Sequence, residues 1–154
     1  IQLLHCLESS TAGGESILQD GFMAAKVLRN ESPEHFEILS RQWINYRFQD
    51  STTDLQSRVA MFEVNDLNEV IKVRFNNRSI DTIKLEPSRV KAFYAAYRHY
   101  AEIIEREDLQ ITFKLAAGEL MMFDNTRVLH ARKAYSDGGL RHLQGAYSDL
   151  DGLY

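Results

Sequence analysis

The chain has 154 residues, with 18 Lys plus Arg against 22 Asp plus Glu, a formal net charge of −4 and 44% hydrophobic residues. These proportions are typical of one soluble globular domain and exclude an intrinsically disordered chain. No run of Lys or Arg exceeds two residues. Together with the negative net charge, this argues against nucleic acid as a partner.

The sequence also bears on membranes and on the cellular compartment. No apolar window approaches the roughly 18 residues of a membrane-spanning helix, so we expect no membrane partner. The single cysteine, Cys6, cannot form an internal disulfide, which favours a reducing compartment; we expect the cytoplasm and leave mitochondria open. The chain starts without Met in the apolar run Ile1–Leu7, which is typical of the middle of a buried strand. We therefore interpret the sequence as a fragment.

The first half of the chain predicts short strands and two helices. Residues 1–7 and 15–19 have strand character, and we expect them to pair as a hairpin. Residues 21–30 suit a short helix, and Ser32-Pro33-Glu34 begins a second one through its serine cap and first-turn proline. The side chains of residues 43–48 alternate as in a strand. A hairpin is expected from 59–64 and 70–75 around the turn at 65–68.

The second half predicts one long helix followed by strands only. Pro87 opens the helix, whose apolar stripe we expect to consist of Val90, Phe93, Tyr94, Tyr97, Ala101 and Ile104. Strands are predicted at 111–115, 120–123, 128–131 and 141–147. Short strands separated by glycine-containing turns, with a few outer helices, predict a mainly β fold of the sandwich or jelly-roll type.

Most of the five histidines have an ordinary structural interpretation. His5, His99 and His142 lie in no ligand pattern. The segment His35-Phe36-Glu37 has the His-x-acid spacing of a facial-triad iron site. We reject it because the preceding cap places it on a helix, where residues two apart point in diverging directions.

His130 is different because of the residues around it. It lies in Asp124-Asn125-Thr126-Arg127-Val128-Leu129-His130, and Arg141 follows eleven residues later. This pattern resembles the C-terminal signature of the Fe(II)- and 2-oxoglutarate-dependent dioxygenases of the taurine dioxygenase superfamily. Further segments that match the family occur in the expected order, namely Gln2–Leu7, Gly13–Ser16, Asp20–Phe22, Phe75–Asn77, Phe93-Tyr94 and Gly118–Asp124.

The resemblance implies a fold and a set of roles. Residues 1–154 would be the C-terminal portion of one catalytic domain, forming part of a double-stranded β-helix (jelly roll) with flanking helices. His130 would be an iron ligand, Arg141 would bind the distal carboxylate of 2-oxoglutarate, and Ser16 would add a hydroxyl to the same cosubstrate. Fe(II), 2-oxoglutarate and O₂ are the implied cofactors, with ascorbate as an accessory reductant. A neutral imidazole suits Fe(II), and a guanidinium can bind a carboxylate through two parallel hydrogen bonds.

The resemblance also implies that the iron site is incomplete in this chain. The family's other two ligands are a His-x-Asp pair that precedes the strand with which the sequence begins. A facial triad needs three ligands on one face. We therefore expect the 154-residue chain by itself to be inactive and the full-length protein to be an enzyme.

Within the family, the local sequence is most similar to the branch that hydroxylates γ-butyrobetaine to L-carnitine. Aromatic ring faces hold a trimethylammonium group best; Tyr147 matches a cage tyrosine of that branch, or else it covers the core. Asn76 is a candidate for substrate binding, or else it shapes a turn. Two alternatives stay open: the trimethyllysine branch, and a jelly-roll binding module without redox activity. A homodimer is compatible with the resemblance.

Overall fold

The computed structural model describes residues 1–10, 12–134 and 141–153. The strands that it contains are β1 (Gln2–Glu8), β2 (Ser16–Asp20), β3 (Ile44–Gln49), β4 (Asp54–Val59), β5 (Phe62–Val64), β6 (Val70–Val73), β7 (Gln110–Phe113), β8 (Leu120–Phe123), β9 (Val128–Arg132) and β10 (His142–Tyr147). The α-helices are α1 (Gly21–Glu31), α2 (Pro33–Arg41) and α3 (Pro87–Ile104). Short 3₁₀ turns follow at Glu107–Leu109 and Leu150–Leu153.

The chain divides into two compact units. The sheet unit consists of Ile1–Asp20 and Glu107–Tyr154, and the helical unit consists of Gly21–Arg106. The mainly β fold with flanking helices is confirmed. That residues 1–154 are the C-terminal portion of one catalytic domain stays a prediction.

The sheet unit contains two antiparallel three-stranded sheets, with strand orders β10-β1-β8 and β7-β2-β9. The predicted hairpin of β1 with β2 is wrong, because both edges of β1 are already paired with the C-terminal strands β8 and β10. Strand β2 likewise lies between β7 and β9. The connection after β1 therefore carries the chain from one sheet to the other, as a jelly roll requires.

The two sheets of this unit enclose an apolar core. Its buried centre consists of Cys6, Leu115, Met121 and Phe123. Side chains from both sheets pack against that centre, namely Leu4, Leu18, Phe113, Val128 and Leu143. Because side chains alternate between the two faces of a strand, these residues identify the inner face of each sheet.

The helical unit contains three helices that pack on one another, the hairpin β5–β6, which contacts α1 and α2, and the hairpin β3–β4. Its centre is aromatic: the Phe62 ring stacks on Phe36 with centroids 5.4 Å apart and meets Tyr100 edge-on at 4.9 Å. The predicted start of α2 is confirmed, since the Ser32 hydroxyl accepts a hydrogen bond from His35 N at 3.3 Å. The hairpin around residues 65–68 is also confirmed, although its strands are shorter than predicted.

The apolar stripe predicted for α3 is only partly correct. Tyr94 is 47% exposed, whereas the buried residues of the helix are Phe93, Ala96, Tyr100 and Ile103. The Tyr100 hydroxyl donates to Gly21 O at 3.3 Å, so the buried ring also has a partner for its polar atom. The buried face is displaced by one residue from the predicted one at positions 96, 100 and 103.

None of the helices in the described parts of the chain combines the length and the apolar character that a membrane span requires.

Candidate active site

The register of β9 places His130 on the inner face of its sheet. His130 is paired with Leu18, and Val128 lies two residues earlier on the same strand. Leu18 and Val128 both pack against the core, so His130 shares their face. A tight turn leads into this strand, because Asp124 Oδ1 accepts hydrogen bonds from the backbone N and the hydroxyl of Thr126 at 2.8 and 2.7 Å.

The imidazole of His130 lies beside the ring of Phe123, with centroids 5.1 Å apart. Although the residue as a whole is exposed, partial desolvation lowers the pKa of His130 below its ordinary value. The neutral imidazole, which is the form that binds metals, is therefore favoured at pH 7. Neither ring nitrogen has a hydrogen-bond partner in the described ranges.

Arg141 precedes β10 and extends along the Gly13–Gly14 turn before β2. A Cβ atom placed on Gly14 would lie 3.2 Å from Arg141 Cδ and 3.4 Å from its Nε. The guanidinium has no ion-pair or hydrogen-bond partner among residues 1–10, 12–134 and 141–153. An unpaired, half-buried guanidinium is available to an anionic ligand.

Ser16 lies on the same inner face as His130. It is 5% exposed, it precedes Leu18 by two residues on β2, and its partner across the strand pair is Phe113, which packs on the core. It also follows Gly14 by two residues. Ser16 and His130 thus share one face of the sheet, and the stem of Arg141 lies against Gly14, two residues before Ser16.

Tyr147 lies on the inner face of the other sheet, where it is paired with Gln2. Its side chain is accessible, since the residue is 75% exposed. Gln2 is buried, and its Oε1 has no partner in the part of the chain that the structure describes. Tyr147 can therefore offer a ring face to a ligand.

Asn76 belongs to the helical unit and is exposed. Its Oδ1 accepts a hydrogen bond from Arg78 N at 2.9 Å, and its backbone O accepts one from Ile80 N at 3.3 Å. Asn76 therefore shapes a turn, which was one of the two roles considered from the sequence. Its amide nitrogen remains the group that could donate to a carboxylate.

The histidines of the helical unit have partners of their own. His35 Nδ1 lies 2.9 Å from His99 Nδ1, and His99 Nε2 lies 3.0 Å from Glu31 Oε2. Arg106 donates to both oxygens of Glu31 at 2.6 and 2.8 Å. Glu37, the acid of the rejected His-x-acid pattern, pairs with Arg41. This cluster links the three helices.

The donor set fits 2-oxoglutarate and fits Fe(II) in part. Arg141 and Ser16 supply donors for a carboxylate, and His130 supplies one nitrogen ligand. No group of three or more His, Cys, Asp or Glu side chains in the described ranges could hold a metal ion. The remaining iron ligands would have to come from outside these residues.

Two contacts of this site were not predicted from the sequence. Phe123 contacts His130, and Gly14 contacts Arg141. Alternation could have placed Phe123 on the inner face, since Met121 and Phe123 are the two buried residues of β8. The contact of Gly14 with Arg141 joins residues far apart in the chain, and no local pattern indicates it.

Comparisons with known proteins agree on one family. The family model "Taurine catabolism dioxygenase TauD, TfdA family" matches residues 1–147. Gamma-butyrobetaine dioxygenase of Homo sapiens is 37% identical over 159 residues, covering 98% of this chain and 41% of that protein. The protein of the same name from Pseudomonas sp. (strain AK-1) is 34% identical, covering 99% and 40%. Mitochondrial trimethyllysine dioxygenase of Gallus gallus is 31% identical, covering 98% and 37%.

Solved structures show the same fold. A taurine dioxygenase from Burkholderia xenovorans aligns with a TM-score of 0.69 at 17% identity, over 94% of this chain and 50% of that one. An asparagine oxygenase in complex with Fe(II), 2S,3S-3-hydroxyasparagine and succinate aligns with a TM-score of 0.66 at 18% identity, over 94% and 43%. The chain spans about two fifths of the length of the curated relatives that it matches.

Proposed function

The chain belongs to the TauD, TfdA family of taurine catabolism dioxygenases, and we propose that the full-length protein is an Fe(II)- and 2-oxoglutarate-dependent dioxygenase that hydroxylates γ-butyrobetaine to L-carnitine. The observation that supports this proposal is that His130 and Ser16 share one face of a sheet, with the stem of Arg141 against the adjoining turn at Gly14. The relatives named gamma-butyrobetaine dioxygenase support the choice of substrate.

Three residues of this chain bind the cosubstrate and the metal in this proposal. Arg141 donates two parallel charge-assisted hydrogen bonds to the distal carboxylate of 2-oxoglutarate, and the Ser16 hydroxyl donates to the same cosubstrate. His130, in its neutral form, supplies one nitrogen to the metal. Fe(II) with 2-oxoglutarate and O₂ supplies the oxidising chemistry, in which a C–H bond becomes C–OH and 2-oxoglutarate becomes succinate and CO₂. The ring of Phe123 packs beside the imidazole, with centroids 5.1 Å apart.

Two residues would act on the substrate. The exposed ring of Tyr147 would contact the trimethylammonium group, which cannot donate hydrogen bonds and is attracted by an aromatic face. The amide nitrogen of Asn76 would donate to the substrate carboxylate.

The proposal also includes an accessory reductant, an oligomeric state and a cellular location. We include ascorbate as an accessory reductant, a homodimer as the assembly and the cytoplasm as the location. We expect no nucleic-acid partner, because the net charge is −4. The alternative substrate is trimethyllysine, which carries the same trimethylammonium group and is supported by the 31% identical relative.

The test measures succinate formation by the full-length protein with Fe(II), 2-oxoglutarate and either γ-butyrobetaine or trimethyllysine. We expect hydroxylation of γ-butyrobetaine to be the faster reaction. His130→Ala should abolish it, whereas His142→Ala, which changes an exposed histidine of β10, should not. Equal, measurable rates in wild type and His130→Ala would refute the role of His130, and no succinate formation by the wild type would refute the proposal and favour a binding module. Preferential turnover of trimethyllysine would refute the substrate assignment alone.

A further inference from the structure

The turn before β2 has an unusual and well-anchored backbone. Gly13 and Gly14 both adopt the left-handed region, with φ of 68° and 76°, which side chains disfavour. The hydroxyl of Ser10, itself buried, donates to Gly13 O at 2.8 Å. This hydrogen bond connects the buried Ser10 side chain to the backbone of the turn.

The same turn is attached to the strand that carries His130. Gly14 N donates to Ala134 O at 3.1 Å, and Lys133 N donates to Glu15 O at 2.9 Å. Both bonds extend the pairing of β2 with β9, in which Ser16 lies opposite Arg132. Through a short, hydrogen-bonded path, the position of Gly14 is therefore fixed relative to His130.

On its other side the turn supports the stem of Arg141. A Cβ atom on Gly14 would lie 2.9 Å from Ser10 Oγ and 3.2 Å from Arg141 Cδ. The first distance is too short for real atoms, and the second requires the arginine stem to move. Because a guanidinium binds a carboxylate as a planar fork, a displaced stem misaligns both hydrogen bonds.

We propose that Gly14 is a positioning residue that sets the spacing between His130 and the Arg141 guanidinium, and so selects the length of the 2-oxo diacid that can bind Arg141 and still reach the metal that His130 would hold. This inference rests on the proposed function. It adds a role for Gly14, which is to set the preferred chain length of the cosubstrate. Glycine is favoured at position 14 by its left-handed φ and because Ser10 Oγ and the Arg141 stem together occupy the space of a side chain.

The test compares Gly14→Ala with Gly118→Ala in the full-length protein. Gly118 also has a left-handed φ, of 89°, but a Cβ there would meet nothing within 4 Å, so both variants carry similar backbone strain. The readout is the ratio of the Kd values for 2-oxoglutarate and oxaloacetate, five- and four-carbon diacids, measured by calorimetry with Fe(II) and without O₂. We expect Gly14→Ala to change this ratio by about fivefold or more, and Gly118→Ala to leave it unchanged.

A second pair of variants applies if Gly14→Ala does not fold. Ser10→Ala removes the hydrogen bond to Gly13 O, whereas Ser9→Ala removes a hydrogen bond of the same length to Leu115 O. Both delete a hydroxyl that donates to a backbone carbonyl, but only Ser10 supports the turn. We expect the Kd ratio to change in Ser10→Ala alone.

The outcomes separate the inference from the function on which it rests. If the wild-type protein binds neither diacid, the proposed function fails. A second outcome overturns the inference alone. The wild type binds 2-oxoglutarate, but the Kd ratio in folded Gly14→Ala stays within about twofold of the wild-type ratio. The same criterion applies to Ser10→Ala where Gly14→Ala does not fold.

Discussion

The two units of the molecule treat their polar side chains differently. In the helical unit, His35, His99, Glu31 and Arg106 contact one another, and the core beneath them is aromatic. In the sheet unit, His130 and Arg141 have no polar partner among the described residues. Both side chains are therefore available to a ligand, whereas the four residues of the helical cluster already bind one another.

The largest effect should come from the aromatic centre of the helical unit. Phe62→Ala removes a fully buried ring that packs on Phe36 and Tyr100, and we expect the free energy of unfolding to fall by about 3–5 kcal/mol. Urea unfolding measures this change. The control Leu55→Ala, at a position that is 63% exposed, should stay within about 0.5 kcal/mol of wild type. Similar losses in both variants would contradict the assignment of the core.

A second test replaces the unpaired guanidinium. Arg141→Lys keeps the charge but loses the fork, so we expect the Kd for 2-oxoglutarate to rise by roughly 10- to 100-fold with little change in stability. Calorimetry and thermal unfolding check the two parts. The matched variant Arg127→Lys alters a guanidinium that is paired with Asp20, and it should leave the affinity for 2-oxoglutarate near that of wild type. An unchanged affinity in Arg141→Lys would remove this residue from the site.

A third test concerns the substrate. Tyr147→Leu keeps an apolar side chain but removes the aromatic face, which should cost about 0.5–2 kcal/mol of binding to the trimethylammonium group. We expect the KM for γ-butyrobetaine to rise accordingly, while the KM for 2-oxoglutarate stays constant. Tyr94→Leu, an exposed tyrosine of the helical unit, serves as the control. A parallel rise of both KM values would indicate a structural role for Tyr147.

The smallest effect is the pH dependence of stability that comes from Glu31, which contacts His99 and Arg106 in the helical unit. Hydrogen bonds from Arg106 and His99 lower the pKa of Glu31 from 4.5 to about 2. The stabilisation by this carboxylate is therefore complete above the unfolded value of 4.5 and is lost as the pH falls from there towards 2. Glu31→Gln should weaken the dependence of the unfolding midpoint on pH in that range. An identical pH dependence in the variant would contradict this account.

Local patterns predicted most of the fold, and the errors have physical causes. Strand β4, with the sequence Asp-Leu-Gln-Ser-Arg-Val, was not predicted because it is polar and gains its stability by pairing with β3. The hairpin of β1 with β2 was wrong because strand partners are chosen by contacts far apart in the chain. The stripe of α3 was partly wrong because the buried residues Phe93, Ala96, Tyr100 and Ile103 also recur every three or four positions, so helical spacing fits both faces.

The candidate site could be predicted only in part, and mainly by resemblance. His130 and Arg141 were found through the spacing of a family motif, which implied their roles without their surroundings. Phe123 follows from strand alternation once its sheet is known. Gly14 could not be predicted, since its contact with Arg141 depends on a left-handed turn and on two segments far apart in the sequence.

The most direct test of the central claim is the binding of 2-oxoglutarate to the full-length protein without O₂, with and without Fe(II). We predict that Fe(II) tightens binding in the wild type. His130→Ala should lose this tightening, and Arg141→Lys should bind weakly under both conditions. A His130→Ala variant in which Fe(II) still tightens binding as in wild type would contradict the account.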